Sequence, residues 1–212
     1  MREYMEAFFQ LPTRIEKPLD LALAQPWARG AASGHGVGKR QYDAGQILDK
    51  VLAPRLPADA CAYLGITMAD LWAGKLNYVF GLGSGYKRVG VYSLCRYYPE
   101  FWGRKRAPGD EVRGLRRACQ VLNHETGHVF TLGHCVFYHC SMNGSNSLSQ
   151  SDAAPLDYCP VCHRKLLWNI GFDGVKRYEA LASFYRKHGM QEEAQWVMAR
   201  SKRWKRIAAR EK

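Results

Sequence analysis

The sequence predicts an α/β (α+β) fold in which a sheet-forming first half is followed by one long helix and a loop-rich, helical C-terminal half. Runs rich in Val, Tyr and Phe recur in the first half, and these side chains favour strands. Residues 110–131 have two acids at their start and the length of a helix. Cysteines then follow among Asn, Gly, Ser and Pro before helical periodicity returns.

Length and composition are those of one ordinary globular domain. The chain has 212 residues, of which 47% are hydrophobic and 24% charged, so a real core is expected and disorder is not. We predict a single domain over residues 1–212. It comprises a part of sheet and helix (about 1–132), a loop-rich part that contains four closely spaced cysteines (about 133–187) and a basic C-terminal helix (about 190–212).

The first predicted elements are a strand, a loop and a helix. Residues 7–15 predict an entry strand, and residues 25–40, rich in Gly, Ala and basic residues, predict a surface loop. Residues 44–53 predict a helix because their apolar residues recur at helical spacing. The predicted buried face of that helix carries Ile47, Leu48, Val51 and Leu52.

Three further strands are predicted. Residues 60–67 are nearly continuously apolar, which predicts an interior strand covered on both faces, and residues 76–84 and 89–97 are two more candidates. The Gly-rich segment between them, GLGSGYKRVG, predicts a connection. Its start resembles a phosphate-binding loop, but Tyr86 stands where G-x-G-x-x-G requires its last glycine and no helix follows, so no nucleotide site is predicted.

The second half is predicted to contain three helices. The first covers 110–131, irregular chain covers 135–172, and the others cover 173–187 and about 190–209. The tail over 196–212 has seven basic residues against one acid, so the last helix carries a basic face. Such a face is most simply solvated, and nucleic acid or a partner protein is the alternative contact.

Bulk features indicate a cytoplasmic protein that is not held in a membrane. No apolar run reaches the ~18–20 residues of a membrane span, and a charged start interrupted by Pro12 is not typical of a secretory signal. Seven cysteines is an odd number, which argues against a complete disulfide framework and favours a reducing compartment. Cys61, Cys95 and Cys119 are expected to be small buried thiols. The formal charge of +12 is compatible with a solvated basic surface.

The segment from His124 to His134 predicts a catalytic metal site. Two histidines four apart on a helix, His124 and His128, are separated by about 40° around the axis and ~6 Å along it, so both can face one ion. Glu125 adjoins the first of them, where its carboxylate can act as general base on a zinc-bound water. His134 can join them only if the helix ends first, and three imidazoles leave a fourth position for that water.

Four cysteines predict a second, structural zinc site. Cys135 and Cys140, followed by Cys159 and Cys162, offer four thiolates from two hairpin-like knuckles. Metal binding to such a closed site contributes to the free energy of folding. Two disulfides are the alternative use of the same cysteines, and His139 and His163, which adjoin them, are expected to be bystanders.

These residues resemble the archaemetzincin signature, H-E-x-x-H-x-x-G-x-x-H-C-x4-C, a methionine and then C-x-x-C. The resemblance extends over roughly residues 42–187 and includes YDAGQILD, VGVYSLCRYYPEF and PLDYCPVC. It implies a metzincin-like core with a twisted mixed sheet, an active-site helix and a methionine turn beneath the catalytic zinc. Met142 matches that methionine, and ordinary packing is its alternative role.

One residue departs from the family signature. Thr131 stands where the family has a glycine at the helix end, and a β-branched residue is strained at positive φ. We therefore predict that the helix runs to about 131–132 and that Gly133 takes the positive φ instead.

The resulting hypothesis is a monomeric zinc-dependent peptidase of archaemetzincin type that hydrolyses peptide bonds and holds two Zn²⁺ ions, one catalytic and one structural. A peptide or protein is its expected substrate. The alternative is a non-catalytic or latent zinc-binding module that contacts nucleic acid or a protein partner. An intact Glu125 favours the enzyme, since a binding module has no use for it.

Overall fold

Two small mixed sheets and a long helix organise residues 18–162 of the computed structural model, which describes residues 1–30, 39–145 and 147–208. The first sheet has the strand order β1 (Ala28–Gly30), β2 (Arg40–Asp43) and β4 (Asp70–Trp72). Strand β2 is antiparallel to β1 and parallel to β4. The predicted loop over 25–40 is therefore wrong at 28–30, which pair as a strand, and its residues 31–38 lie outside the described residues.

The second sheet lies next to the long helix. Its order is β3 (Tyr63–Thr67), β6 (Val89–Ser93) and β5 (Gly81–Ser84), with β3 parallel and β5 antiparallel to β6. Strand β6 is buried along its whole length, whereas Ile66 in β3 is 46% exposed. The prediction of an interior strand at 60–67 is wrong in this respect, because β3 is an edge strand.

The predicted apolar face of the first helix is confirmed. Helix α2 (Ala44–Gln46) continues as a π-helix over Ile47–Leu52, and Asp43 caps its start by accepting the N–H of Gln46. The four predicted apolar side chains are all buried in one cluster with β-strand residues such as Val89 and Val91.

Helix α3 (Asp110–Val129) carries the site described below and contacts β5 and β6. Its acidic start is held by Asp110, whose carboxylate accepts the N–H of Ala107 at 2.7 Å and pairs with Arg113. Two shorter helices follow, α4 (Leu148–Ala153) and α5 (Pro160–Ile170). The prediction of irregular chain over 135–172 is wrong for these helices.

Residues 1–17 and 163–212 form a second unit. Helix α1 (Arg2–Phe9) packs on α6 (Gly174–Lys187), and α7 (Gln191–Ala208) also packs on α6. The predicted helices at 173–187 and 190–209 are thus confirmed through residue 208. The predicted entry strand at 7–15 is wrong, because Tyr4 and Phe8 share one face of α1 at helical spacing and are fully buried. The single-domain assignment stays a prediction.

Candidate metal centres

Three imidazoles converge at the C-terminal end of α3. His124 and His128 lie one turn apart on the helix, with their Nε2 atoms 3.1 Å apart. His134 returns from beyond the helix end and brings its Nε2 atom within 3.2 Å of that of His124. Tetrahedral nitrogens bound 2.0–2.1 Å from Zn²⁺ lie about 3.3 Å from one another, so the three nitrogens fit one zinc ion.

Backbone carbonyls orient two of these rings. The Nδ1 atom of His124 lies 2.8 Å from the carbonyl oxygen of Ser141, and that of His128 lies 2.7 Å from the carbonyl oxygen of Leu132. A ring that donates its Nδ1–H to a carbonyl leaves the Nε2 lone pair free for a metal. Burial lowers the pKa of His124 to about 4 and also lowers that of His128, which keeps both rings neutral.

The turn after α3 brings His134 back to the site. The helix ends at Val129. The N–H of Thr131 donates to the carbonyl oxygen of His128, and the N–H of Leu132 donates to the carbonyl oxygen of Gly127, each at 2.9 Å. These two bonds define a Schellman motif, in which the residue with positive φ is Thr131 at +65°.

The prediction that Gly133 takes the positive φ is therefore wrong, and the helix is shorter than predicted. Tertiary contacts account for the difference. The carbonyl of Leu132 holds the ring of His128, and a Cβ placed on Gly85 would lie 3.2 Å from Cγ2 of Thr131 and 2.8 Å from the carbonyl oxygen of His128. The neighbouring chain thus packs directly against the turn and holds a β-branched residue in a conformation that costs roughly 1–2 kcal/mol.

Glu125 lies against strand β5. The N–H of Gly83 donates to its carboxylate, and burial, which outweighs that bond, raises the pKa of Glu125 to about 7. A Cβ on Gly83 would lie 2.4 Å from the carbonyl oxygen of Glu125, and one on Gly81 would lie 2.8 Å from its Cγ. Glycine at alternate positions of β5 is what allows the strand to approach the helix this closely.

The strand predicted over 76–84 is confirmed at Gly81–Ser84, but the overlapping segment GLGSGYKRVG was also predicted to be a connection, and the role of its glycines beside Glu125 was missed. The glycines recur at every second residue, and this spacing would have predicted that Gly81, Gly83 and Gly85 lie on one face of a strand.

Met142 packs against helix α3 at Gly127, the residue before His128. Its side chain is fully buried, and a Cβ on Gly127 would lie 2.4 Å from its sulfur, so the thioether packs on α3 between His124 and His128. Its N–H points at Sγ of Cys140 at 3.4 Å, and its carbonyl accepts the N–H of Cys135 at 2.9 Å. The same residue therefore contacts two of the four cysteines and the helix that carries His124 and His128.

The four predicted cysteines form a second cluster, with sulfurs all within 4.8 Å of one another. The Sγ atoms of Cys135 and Cys159 are 3.8 Å apart, which is about the separation of two thiolates bound tetrahedrally to Zn²⁺ at ~2.3 Å. Sγ of Cys140 also receives the N–H of Cys159 at 3.2 Å. Burial raises the pKa of Cys140 to about 11, so four thiolates at this spacing require a cation.

The other cysteine and histidine predictions have mixed outcomes. All seven cysteines are free, so the disulfide alternative is wrong in this structure. Cys61 is exposed, contrary to prediction, whereas Cys95 and Cys119 are buried. Cys159 and Cys162 flank the first turn of α5 and do not form a hairpin-like knuckle. His139 bonds to the carbonyl of Ala153 and His163 stacks on Tyr178, and neither belongs to one of the two clusters.

Within the described residues, no helix has both the length and the apolarity that crossing a membrane requires.

Comparison with known proteins gives a consistent set of similarities. The model of peptidase family M54 matches residues 39–167. Archaemetzincin-2 of Pongo abelii is 36% identical over 202 residues, which cover 84% of this chain and 55% of that protein. The archaemetzincin of Thermococcus kodakarensis is 39% identical over 132 residues, 62% of this chain and 69% of that protein. The chain thus spans about half the length of the mammalian relative.

A solved structure is similar over most of its length. The crystal structure of a zinc-dependent peptidase from Methanocorpusculum labreanum aligns with a TM-score of 0.59 at 26% identity. The alignment covers 78% of this chain and 90% of that one.

Proposed function

The chain belongs to peptidase family M54, the archaemetzincins, and from this premise we propose that it is a zinc-dependent peptidase. His124, His128 and His134 hold the catalytic zinc, and Cys135, Cys140, Cys159 and Cys162 hold a structural one. The observation that carries the proposal is the convergence of three Nε2 atoms at 3.1–3.2 Å beside the partly buried Glu125. Zn²⁺ bound there supplies a Lewis acid that polarises a peptide carbonyl and makes a water more acidic.

Glu125 is the general base of the proposed reaction. It takes a proton from the attacking water and passes it to the nitrogen of the leaving amine. Its pKa of about 7, raised by burial, allows one carboxylate to accept and return that proton near neutral pH. The N–H of Gly83 holds the carboxylate in place during both transfers.

Strand β5 provides the surface for the peptide substrate. It is the last strand on its side of the order β3–β6–β5, so an extended peptide can add to it through main-chain hydrogen bonds. The strand passes directly beside Glu125 and His128, which places a peptide bond added there close to the imidazoles. Recognition through the main chain makes a peptide or an unfolded protein segment the expected substrate class.

The four-cysteine site supports the catalytic one. Cys135 follows His134 in the chain, and Met142 joins the two clusters through its backbone and its buried thioether, which forms an apolar floor. Thiolates at this site require a reducing environment, which supports a cytoplasmic location.

One experiment separates the enzyme from a non-catalytic zinc module. Purified protein of residues 1–212 is assayed for zinc by mass spectrometry and incubated with a mixed peptide library, in parallel with Glu125→Gln. We expect two zinc ions per chain in both proteins, cleavage by the parent, and a loss of activity of roughly 10²–10⁴-fold in the variant. Equal cleavage by both proteins would refute the role of Glu125, and two zinc ions without any cleavage would favour the binding module.

A further inference from the structure

Beside the proposed catalytic site, three consecutive apolar side chains project into solvent. Val136 is 79% exposed, Phe137 86% and Tyr138 54%. In the part of the chain that the structure describes, no other three consecutive large apolar residues are all exposed. Together they present on the order of 400 Å² of surface, the size at which an apolar patch on a protein is commonly functional. We call these residues the 136–138 ridge.

The ridge is held rigidly. Asn143 donates from Nδ2 to the carbonyls of Cys135 and Tyr138, at 2.6 and 2.9 Å, and its Oδ1 accepts the N–H of Cys140 at 2.8 Å. Cys135 and Cys140, at the two ends of the loop, are both in the four-sulfur cluster. The backbone of the ridge is therefore fixed at both ends, and a ligand that binds the ridge meets a pre-organised loop.

The ridge is close in the chain to His134, the exposed member of the imidazole cluster. His134 is exposed, whereas His124 and His128 are each partly buried, so access to the three nitrogens is from the side of His134. Phe137 is three residues from His134, which limits the distance between their Cα atoms to about 11 Å. An extended peptide covers that distance in about three residues.

From these observations we propose that the 136–138 ridge selects substrates by binding a large apolar side chain within about three residues of the bond that is cleaved. The proposal rests on the peptidase function proposed above and adds a specificity to it. Apart from His139, the residues from 135 to 140 carry no charge-bearing side chain that could attract phosphate or a carboxylate, which favours an apolar partner group over nucleic acid.

The first test is cleavage of a mixed peptide library by the parent and by Phe137→Ser. We expect the parent to prefer Phe, Leu or Met at one position within three residues of the cleaved bond. Phe137→Ser should lower kcat/KM for those peptides about tenfold and leave peptides with Ser or Asn at that position within twofold. Leu76→Ser, which removes another exposed apolar side chain, is the matched control and should not change the preference. An unchanged preference in Phe137→Ser would overturn the proposal.

A second test uses binding and does not require cleavage. Fluorescence anisotropy measures how Glu125→Gln binds a labelled Ala-based peptide that carries one Phe, and the same peptide with Ser. We expect tighter binding of the Phe peptide and loss of this difference when Phe137→Ser is added. If the parent cleaves nothing but the difference is present, the proposed function fails, and the ridge binds an apolar side chain without selecting a cleavage site.

Light scattering tests whether the ridge binds a second copy of the chain instead of a substrate side chain. If Phe137→Ser converts a dimer into a monomer and leaves the peptide preference intact, the ridge is a dimer contact and the proposal is wrong. Zinc content and melting temperature equal to those of the parent establish that Phe137→Ser is folded.

Discussion

The imidazole cluster and the thiol cluster adjoin each other in the chain, yet their surroundings are opposite. The four cysteines are at most 9% exposed, and Sγ of Cys140 receives backbone N–H groups from Met142 and Cys159. His124 and His128 instead donate to backbone carbonyls, and His134 is exposed. A closed four-ligand site suits a structural metal, and a three-ligand site with an open side suits catalysis.

This difference shows how a loop-rich segment can hold the proposed catalytic ligand His134 in place. His134 lies beyond the end of α3, and its backbone belongs to neither a helix nor a strand. The thiol cluster begins at the next residue, and Met142 bonds to that cluster through its backbone while its side chain packs on Gly127. The closed site therefore acts as the scaffold for the open one.

The largest loss of stability is expected when the four-cysteine site is disrupted. Cys159→Ser should lower the zinc content by one ion per chain and the free energy of unfolding by several kcal/mol, because metal binding to a Cys₄ site is coupled to folding. Urea unfolding followed by circular dichroism, with zinc analysis, measures both. Cys61→Ser, at an exposed cysteine outside the cluster, is the control and should change neither quantity. A folded Cys159→Ser that keeps both ions would show that the four sulfurs do not form a site.

A smaller loss of stability is expected when β5 is moved away from α3 and the imidazole cluster. Gly83→Ala would place a methyl group 2.4 Å from the carbonyl oxygen of Glu125, so the strand must move away from α3. We expect the free energy of unfolding to fall by about 1–3 kcal/mol and peptidase activity to fall at least tenfold. The zinc content of the four-sulfur site should be unchanged. Activity equal to that of the parent would mean that the position of β5 is not needed for catalysis.

The turn that carries His134 offers a stabilising change. Thr131 has φ +65°, so Thr131→Gly should relieve its strain and raise the free energy of unfolding by about 0.5–1 kcal/mol after the entropic cost of glycine. Thermal unfolding of the zinc-loaded proteins is the measurement. A lower stability in Thr131→Gly would mean that the packing of the Thr131 methyl group near Gly85 outweighs the strain.

The smallest change in stability is expected for a substitution at Gly133. A Cβ on Gly133 would have no heavy atom within 4 Å, and its φ is not positive, so Gly133→Ala should change the free energy of unfolding by less than about 0.5 kcal/mol. Catalytic zinc should be retained. This variant is also the matched control for Gly83→Ala, because both add one methyl group near the same site. A marked loss of zinc in Gly133→Ala would contradict the observed turn.

Local spacing was sufficient to predict the residues of both clusters. Two histidines four apart on a helix share a face wherever the helix lies, and short segments of chain join Cys135 to Cys140 and Cys159 to Cys162. The buried face at 47–52 and the helices α6 and α7 were predictable for the same reason, because helical periodicity is a local property.

Tertiary structure alone decided where α3 ends, what the glycines of β5 do and which conformation the first residues take. Local preference favoured positive φ at Gly133, but the bonds of Leu132 and the packing near Gly85 put it on Thr131. Residues 7–9 resemble a strand by composition, yet burial of Tyr4 and Phe8 against α6 makes them helical. Backbone preferences amount to roughly 1 kcal/mol or less per residue, and burying one aromatic side chain contributes about 1.5–3 kcal/mol, so packing prevails where the two conflict.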